Sequence, residues 1–247
     1  MKKLLLFSFV TVASLYAGGK LVEPPIVPPV PVVVDEWTAP YIGVQAGYIQ
    51  GKGTINITSS NKQLAAAPQS VNYDPFTLKP SGFIGGIFAG YNQKLSGDIV
   101  AGIEGAINYT NIKKTKSPLS INGDNIENES FTLKQKWDVA LYGRLGVLVG
   151  QEKSLMPYVL AGVTGTKLYG GLTRNSTTLW KSKNLTGWTV GAGLEYKMNK
   201  NWHVRVQYRY SDYGSATFNY NTQPAFSAKV KKYKTNSIMA GLSYHFK

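Results

Sequence analysis

His203 and His245 are the only imidazoles in the chain, and no cysteine accompanies them. Without cysteine there are no disulfides, thiolate metal sites or thiol nucleophiles. A histidine pair can begin a metal site, but two ligands leave it incomplete. Polar packing explains the pair more simply. A hydrolase needs a nucleophile, a base and an orienting group at one locus. Neither histidine falls in a long loop where such a set could be assembled. "GGIFAG" at 85–90 has the glycine content of a phosphate loop. No helix pattern follows it, so the anion-cradling geometry is missing. The sequence therefore assigns no catalytic, cofactor-binding or metal-binding residue, and it implies no cofactor and no enzyme. What remains is a set of carboxylates and guanidinium groups inside segments of alternating polarity: Glu104, Arg144, Glu195, Arg205 and Arg209.

Those segments must be strands. In "NWHVRVQYRYSDYG" (201–214), Trp202, Val204, Val206, Tyr208 and Tyr210 alternate with His203, Arg205, Gln207 and Arg209. A period of two is the strand signal. "GWTVGAGLEYK", "WDVALYGRLGVLV", "DIVAGIEGAINYT" and "NSIMAGLSYHF" repeat the pattern. The predicted spans are 41–57, 82–95, 99–112, 131–150, 155–168, 185–198, 201–215 and 230–246. Short connections at 95–98, 151–154 and 198–201 alternate with long ones near 58–81, 113–130, 169–184 and 216–229. An even strand number with turns short on one side and long on the other is the layout of a transmembrane barrel. The reading is all-β: an eight-stranded antiparallel up-and-down barrel with long extracellular loops and short periplasmic turns.

The two faces decide the orientation. One is continuously apolar and ends in aromatics; the other mixes glycine with charge. A narrow bore has no room for so many Trp and Tyr side chains, so the apolar face points out into hydrocarbon. Trp202 to Tyr210 is roughly 26 Å of strand, or roughly 20 Å of height at about 40° tilt, close to the apolar band between two aromatic girdles. Trp137, Trp188, Tyr196, Trp202, Tyr210, Tyr244 and Phe246 make those girdles, with Trp188 beside Tyr210 and Tyr196 beside Trp202. Gly43, Gly47, Gly86, Gly90, Gly102, Gly146, Gly191, Gly193 and Gly241 fall inside by alternation. They make room for long inward side chains. Glu104 and Glu195 are predicted to pair there with Arg144, Arg205 and Arg209, as buried charges require partners. "SGFIGGIFAGYN" and "MPYVLAGVTGTK" are apolar on both faces, and their sides stay open.

The N-terminus, "MKKLLLFSFVTVASLYAGG", has two lysines, an apolar run and small residues, the layout of a secretory signal peptide. Residues 1–17 are assigned to it, with cleavage after Ala17. Residues 18–40, rich in proline, read as a periplasmic polyproline tether. The barrel occupies 41–247. The formal charge of +14 would suit nucleic acid or an anionic membrane surface. Export excludes nucleic acid.

These residues resemble the small outer-membrane β-barrel family that includes opacity-type proteins and the OmpA transmembrane domain. The resemblance covers about 41–246 and rests on "YIGVQAGY", "GGIFAGYN", "AGIEGAINYT", "MPYVLAGV", "GWTVGAGLEY", "WHVRVQYRYSDYG" and "GLSYHF". It implies an outer-membrane location with both barrel termini periplasmic. It also implies that Gly241, Tyr244 and Phe246 form the signal read by the barrel-assembly machinery. Lys247 after the last aromatic and Met239 at a usually polar position depart from that signal. Lys113, Lys114, Lys116, Lys167, Arg174, Lys181, Lys183, Lys229, Lys231, Lys232 and Lys234 crowd the extracellular side, offset in part by Asp74, Asp124, Glu127, Glu129 and Asp212. The expected partners are outer-membrane lipids, lipopolysaccharide and an anionic host or surface ligand. The expected role is structural, with envelope integrity as its base and adhesion as an extension. A small diffusion porin is the alternative.

Overall fold

A computed structural model describes residues 36–61, 69–221 and 225–247. The signal peptide and most of the proline-rich segment lie outside the described residues. Eight long strands form the wall: β1 (Ala39–Asn61), β2 (Ser81–Lys94), β3 (Ile99–Thr110), β4 (Glu129–Val147), β5 (Leu155–Arg174), β6 (Thr177–Lys197), β7 (Trp202–Asp212) and β8 (Ala225–His245). Each pairs antiparallel with its neighbours, and β8 returns to β1 from Tyr41↔His245 to Ser60↔Ala225, closing the barrel. Closure leaves no free sheet edge at the membrane level; above it, Thr177–Gly187 of β6 is paired with β5 alone among the described residues.

Burial follows the alternation. In β7 the even residues from Trp202 to Tyr208 are exposed and the odd ones from His203 to Ser211 are buried. Ile103, Ile107, Val139, Leu141, Val159, Val163 and Leu194 are all about half exposed, an apolar outer belt that only hydrocarbon would cover. The two undecided segments take sides. Ile84, Phe88 and Asn92 point inward from β2, and Met156, Tyr158 and Leu160 from β5. Trp188 and Tyr210 pack at 5.4 Å between ring centres, Tyr109 and Trp137 at 5.8 Å, and Trp202 and Tyr244 at 5.3 Å. Tyr196 pairs across the sheet with Val204, two residues from Trp202.

The long connections differ from expectation. Much of 169–184 is strand: β5 and β6 continue to Arg174↔Thr177 and turn in two residues. Asn175 and Ser176 both have positive φ, 44° and 66°. That is the handedness a two-residue hairpin turn requires. Further strands at Gln69–Asn72 and Phe76–Leu78 pair with the top of β1, Lys113–Lys116 with β4, and Ala216–Tyr220 with β8. The physical reason is that water bathes much of the outer face here. Polar Thr, Ser, Asn and Lys then make serviceable strands without the apolar alternation that marks the membrane part.

Candidate functional site

The bore is filled at two levels. In the membrane part, Glu104 of β3 is the hub. It accepts hydrogen bonds from Arg205 (2.8 Å at Oε1), Arg144 (3.1 Å), Tyr41 (2.7 Å) and Tyr142. Glu195 of β6 accepts from Arg144 and meets His203 Nδ1 at 2.9 Å. Arg205 also donates to Gln45 (2.7 Å), whose amide donates to Asn108 (2.8 Å), which in turn donates to Asp138 (3.0 Å). Asp138 accepts from Arg209 and from Tyr213 (2.6 Å). Three carboxylates thus face three guanidinium groups, and all six side chains are at most 2% exposed. Buried charges persist only when paired and hydrogen-bonded in this way.

Glu104, Arg144, Glu195 and Arg205 come together as the sequence suggested. Arg209 does not reach either glutamate; its partner is Asp138. The alternation of "WDVALYGRLGVLV" sets Asp138 on the polar, inward face with Arg144. What it could not give is the stagger that decides which inward residues meet across the bore.

The inward glycines are not empty space. A Cβ on Gly43 would stand 2.3 Å from the Phe88 ring, one on Gly90 2.5 Å from the Tyr41 hydroxyl, and one on Gly193 2.6 Å from Tyr158. At these three positions neighbouring aromatic rings occupy the volume that glycine releases. The Arg205 guanidinium lies over the Phe88 ring at 3.5 Å and that of Arg144 over Tyr158 at 4.1 Å.

The second level stands above the membrane. Ile55, Phe131, Leu133, Leu168, Phe218, Tyr220, Val230 and Tyr233 form part of an apolar core inside the extended wall. Tyr233 donates to Gln135 at 2.7 Å, next to this core. Sequence reading missed this core because Phe218 and Tyr220 lie in a segment taken for a loop and the others at the loop-bearing ends of predicted strands. The clue was Phe, Tyr and Leu scattered among polar residues there.

At the opposite mouth, His203 and His245 stack at 3.7 Å, both against Glu195 Oε1. The three residues have donor atoms within 4.8 Å of one another and could supply metal ligands. Arg144 holds the other oxygen of the same carboxylate. A cation there would sit beside a guanidinium, so a hydrogen-bonded plug is the better description. Trp37, which the sequence did not single out, packs edge-on against His203 at 4.9 Å, and its indole donates to Lys153 O at 3.0 Å. Glu36 accepts a hydrogen bond from Lys197, which lowers its carboxyl from the ordinary glutamate value.

Tyr244 and Phe246 lie outside on the last strand and its end, rings 5.2 Å apart, while Gly241 faces the bore, where a Cβ would stand 3.2 Å from Arg205 Nε. Lys114, Lys181, Lys183, Lys229, Lys231 and Lys232 are exposed on the loop-bearing side. Lys234 pairs with Asp212 at 3.4 Å and Arg174 with Glu129 at 3.0 Å.

The model of the "Outer membrane protein beta-barrel domain" family matches residues 26–246. The chain is 32% identical over 238 residues to a 25 kDa outer-membrane immunogenic protein of Brucella abortus, covering 95% of this chain and 92% of that one. It is 28% identical, across the whole of both chains, to a 31 kDa outer-membrane immunogenic protein of Brucella melitensis. Among solved structures, the outer membrane protein OprG of Pseudomonas aeruginosa superposes with a TM-score of 0.51 at 17% identity, over 85% of this chain and 97% of that one.

Proposed function

The chain belongs to the outer-membrane protein β-barrel family, and from that premise we propose that it is a closed, non-catalytic barrel with a structural and surface-interaction role. The filled bore carries this reading. A water path would have to cross both the Glu104–Arg144–Arg205 cluster and the apolar core above it. Inward glycines would favour a porin, but rings fill the space at Gly43, Gly90 and Gly193, and Asn92 and Met156 fill it at Gly102 and Gly146. The wall then contributes a rigid lipid-spanning body. Its rim contributes an exposed cationic surface for an anionic ligand outside the cell. The two Brucella relatives are named as immunogenic proteins; a rigid exposed rim suits a surface antigen. Gly241, Tyr244 and Phe246 would present the chain to the assembly machinery, and residues 1–17 would be removed on export.

The test is to open the plug. Glu104→Ala with Glu195→Ala removes two of the three carboxylates in the membrane-level network. Refolded double variant, its barrel verified by a heat-dependent gel shift, should conduct in a planar bilayer where the parent is silent. Equal behaviour of the two proteins would contradict a charge network that seals the bore.

A further inference from the structure

Lys113, Lys134, Lys136 and Lys167 share one outer face of the wall. Lys167 pairs across the sheet with the girdle residue Trp137, and Lys134 with Tyr169 on one side and Lys113 on the other. The patch therefore begins at the upper girdle and climbs about three residues, or about 10 Å, above it. That is the height of lipid headgroups. Like charges directly opposite each other in a sheet are destabilising. None of the four lysines has an ion-pair partner among the described residues. Three of them are nevertheless braced by aromatics. Lys134 Nζ lies 3.9 Å from the Trp180 ring centre, and Lys136 and Lys167 stand 5.7 Å and 5.6 Å from that of Tyr169. Aromatic faces order the ammonium groups but leave their donors free for an anion.

A second feature continues the first. From the girdle downward, the lipid-facing wall is hollowed into an apolar groove of about 950 Å³, lined by residues including Ile87, Gly105, Leu141, Val163, Gly165 and Gly187. Its upper end at Gly165 is two residues from Lys167 on β5. A Cβ on Gly105 would meet nothing closer than 4.0 Å, so the groove is open there. Cationic head site and apolar channel lie on the same strands in the order a membrane amphiphile presents them.

We propose that this face binds a phosphorylated, multiply acylated glycolipid of the outer leaflet, with its phosphates on the four lysines and an acyl chain in the groove. The site rests on the outer-membrane placement of the chain and not on the closed bore, so a conducting barrel would leave it standing. Only two of the four lysines, Lys113 and Lys167, are conspicuous in the sequence as loop lysines; Lys134 and Lys136 join them through strand register.

The experiment is native mass spectrometry of the refolded full barrel in detergent, titrated with purified bisphosphorylated lipid A. Lys113→Glu/Lys134→Glu/Lys136→Glu should weaken retention at least tenfold. Gly105→Leu, which fills the groove, should weaken it severalfold. Lys52→Glu/Lys79→Glu/Lys200→Glu, exposed lysines outside both the patch and the named rim set and with the same change in net charge, should retain lipid as the parent does. If the patch variant misfolds by gel shift, the Lys→Gln triple replaces it with the same expected loss. The proposal is overturned if the control triple loses lipid equally. Equal binding of dephosphorylated lipid A, or displacement of lipid A by equimolar phosphatidylglycerol, overturns it too. So does displacement by inorganic phosphate alone, since the groove would then have no part.

Discussion

Glu104 concentrates the energetics of the bore because it serves two arginines and two tyrosines at once. Removing one partner of a buried ion pair leaves the other charge uncompensated, at a cost of about 3–5 kcal/mol. Glu104→Ala should therefore lower the free energy of unfolding, obtained from urea titration of the folded gel band, by an amount in that range. Glu152→Ala, on an exposed short turn, should stay within about 0.5 kcal/mol of the parent. Equal midpoints for the two variants would contradict the hub assignment. At this scale the sequence was legible in part. Period-two alternation put Glu104, Arg144, Glu195, Arg205, Arg209 and Asp138 on one face. It could not pair Arg209 with Asp138, because partners across a bore depend on strand stagger and not on local spacing.

Strands were legible where hydrocarbon imposes a one-sided apolar pattern. The predicted 99–112 and 201–215 differ from β3 and β7 by three residues at most at either end. They were illegible where water bathes the outer face, as in the β5–β6 hairpin above Lys167, whose Thr, Ser and Lys read as loop. The same inside–outside logic makes a prediction about glycine. On β1, a Cβ at Gly47 would stand 2.0 Å from Ile238 O and 2.7 Å from Met239 Cα, on the closing strand β8. On β3, Gly105 faces open lipid-side space. Gly47→Leu should block closure of the β1–β8 seam and abolish the heat-modifiable folded band, while Gly105→Leu should fold. The reverse outcome would invert the assignment of faces.

As a whole molecule the protein is a lipid-spanning wall around a solid interior: an ionic layer in the membrane and an apolar layer above it. Eight strands enclose only enough room for side chains, and here the side chains take it. On the proposed closed-barrel reading, function resides on the outside, in the belt, the cationic face and the rim. The most direct measurement is single-channel conductance of the refolded parent protein in a planar bilayer, with folding verified by the gel shift. Silence under applied voltage is the result predicted by an interior closed at both levels. Reproducible current steps would mean that the interior is a wet pathway, and the diffusion-porin reading would replace the closed barrel.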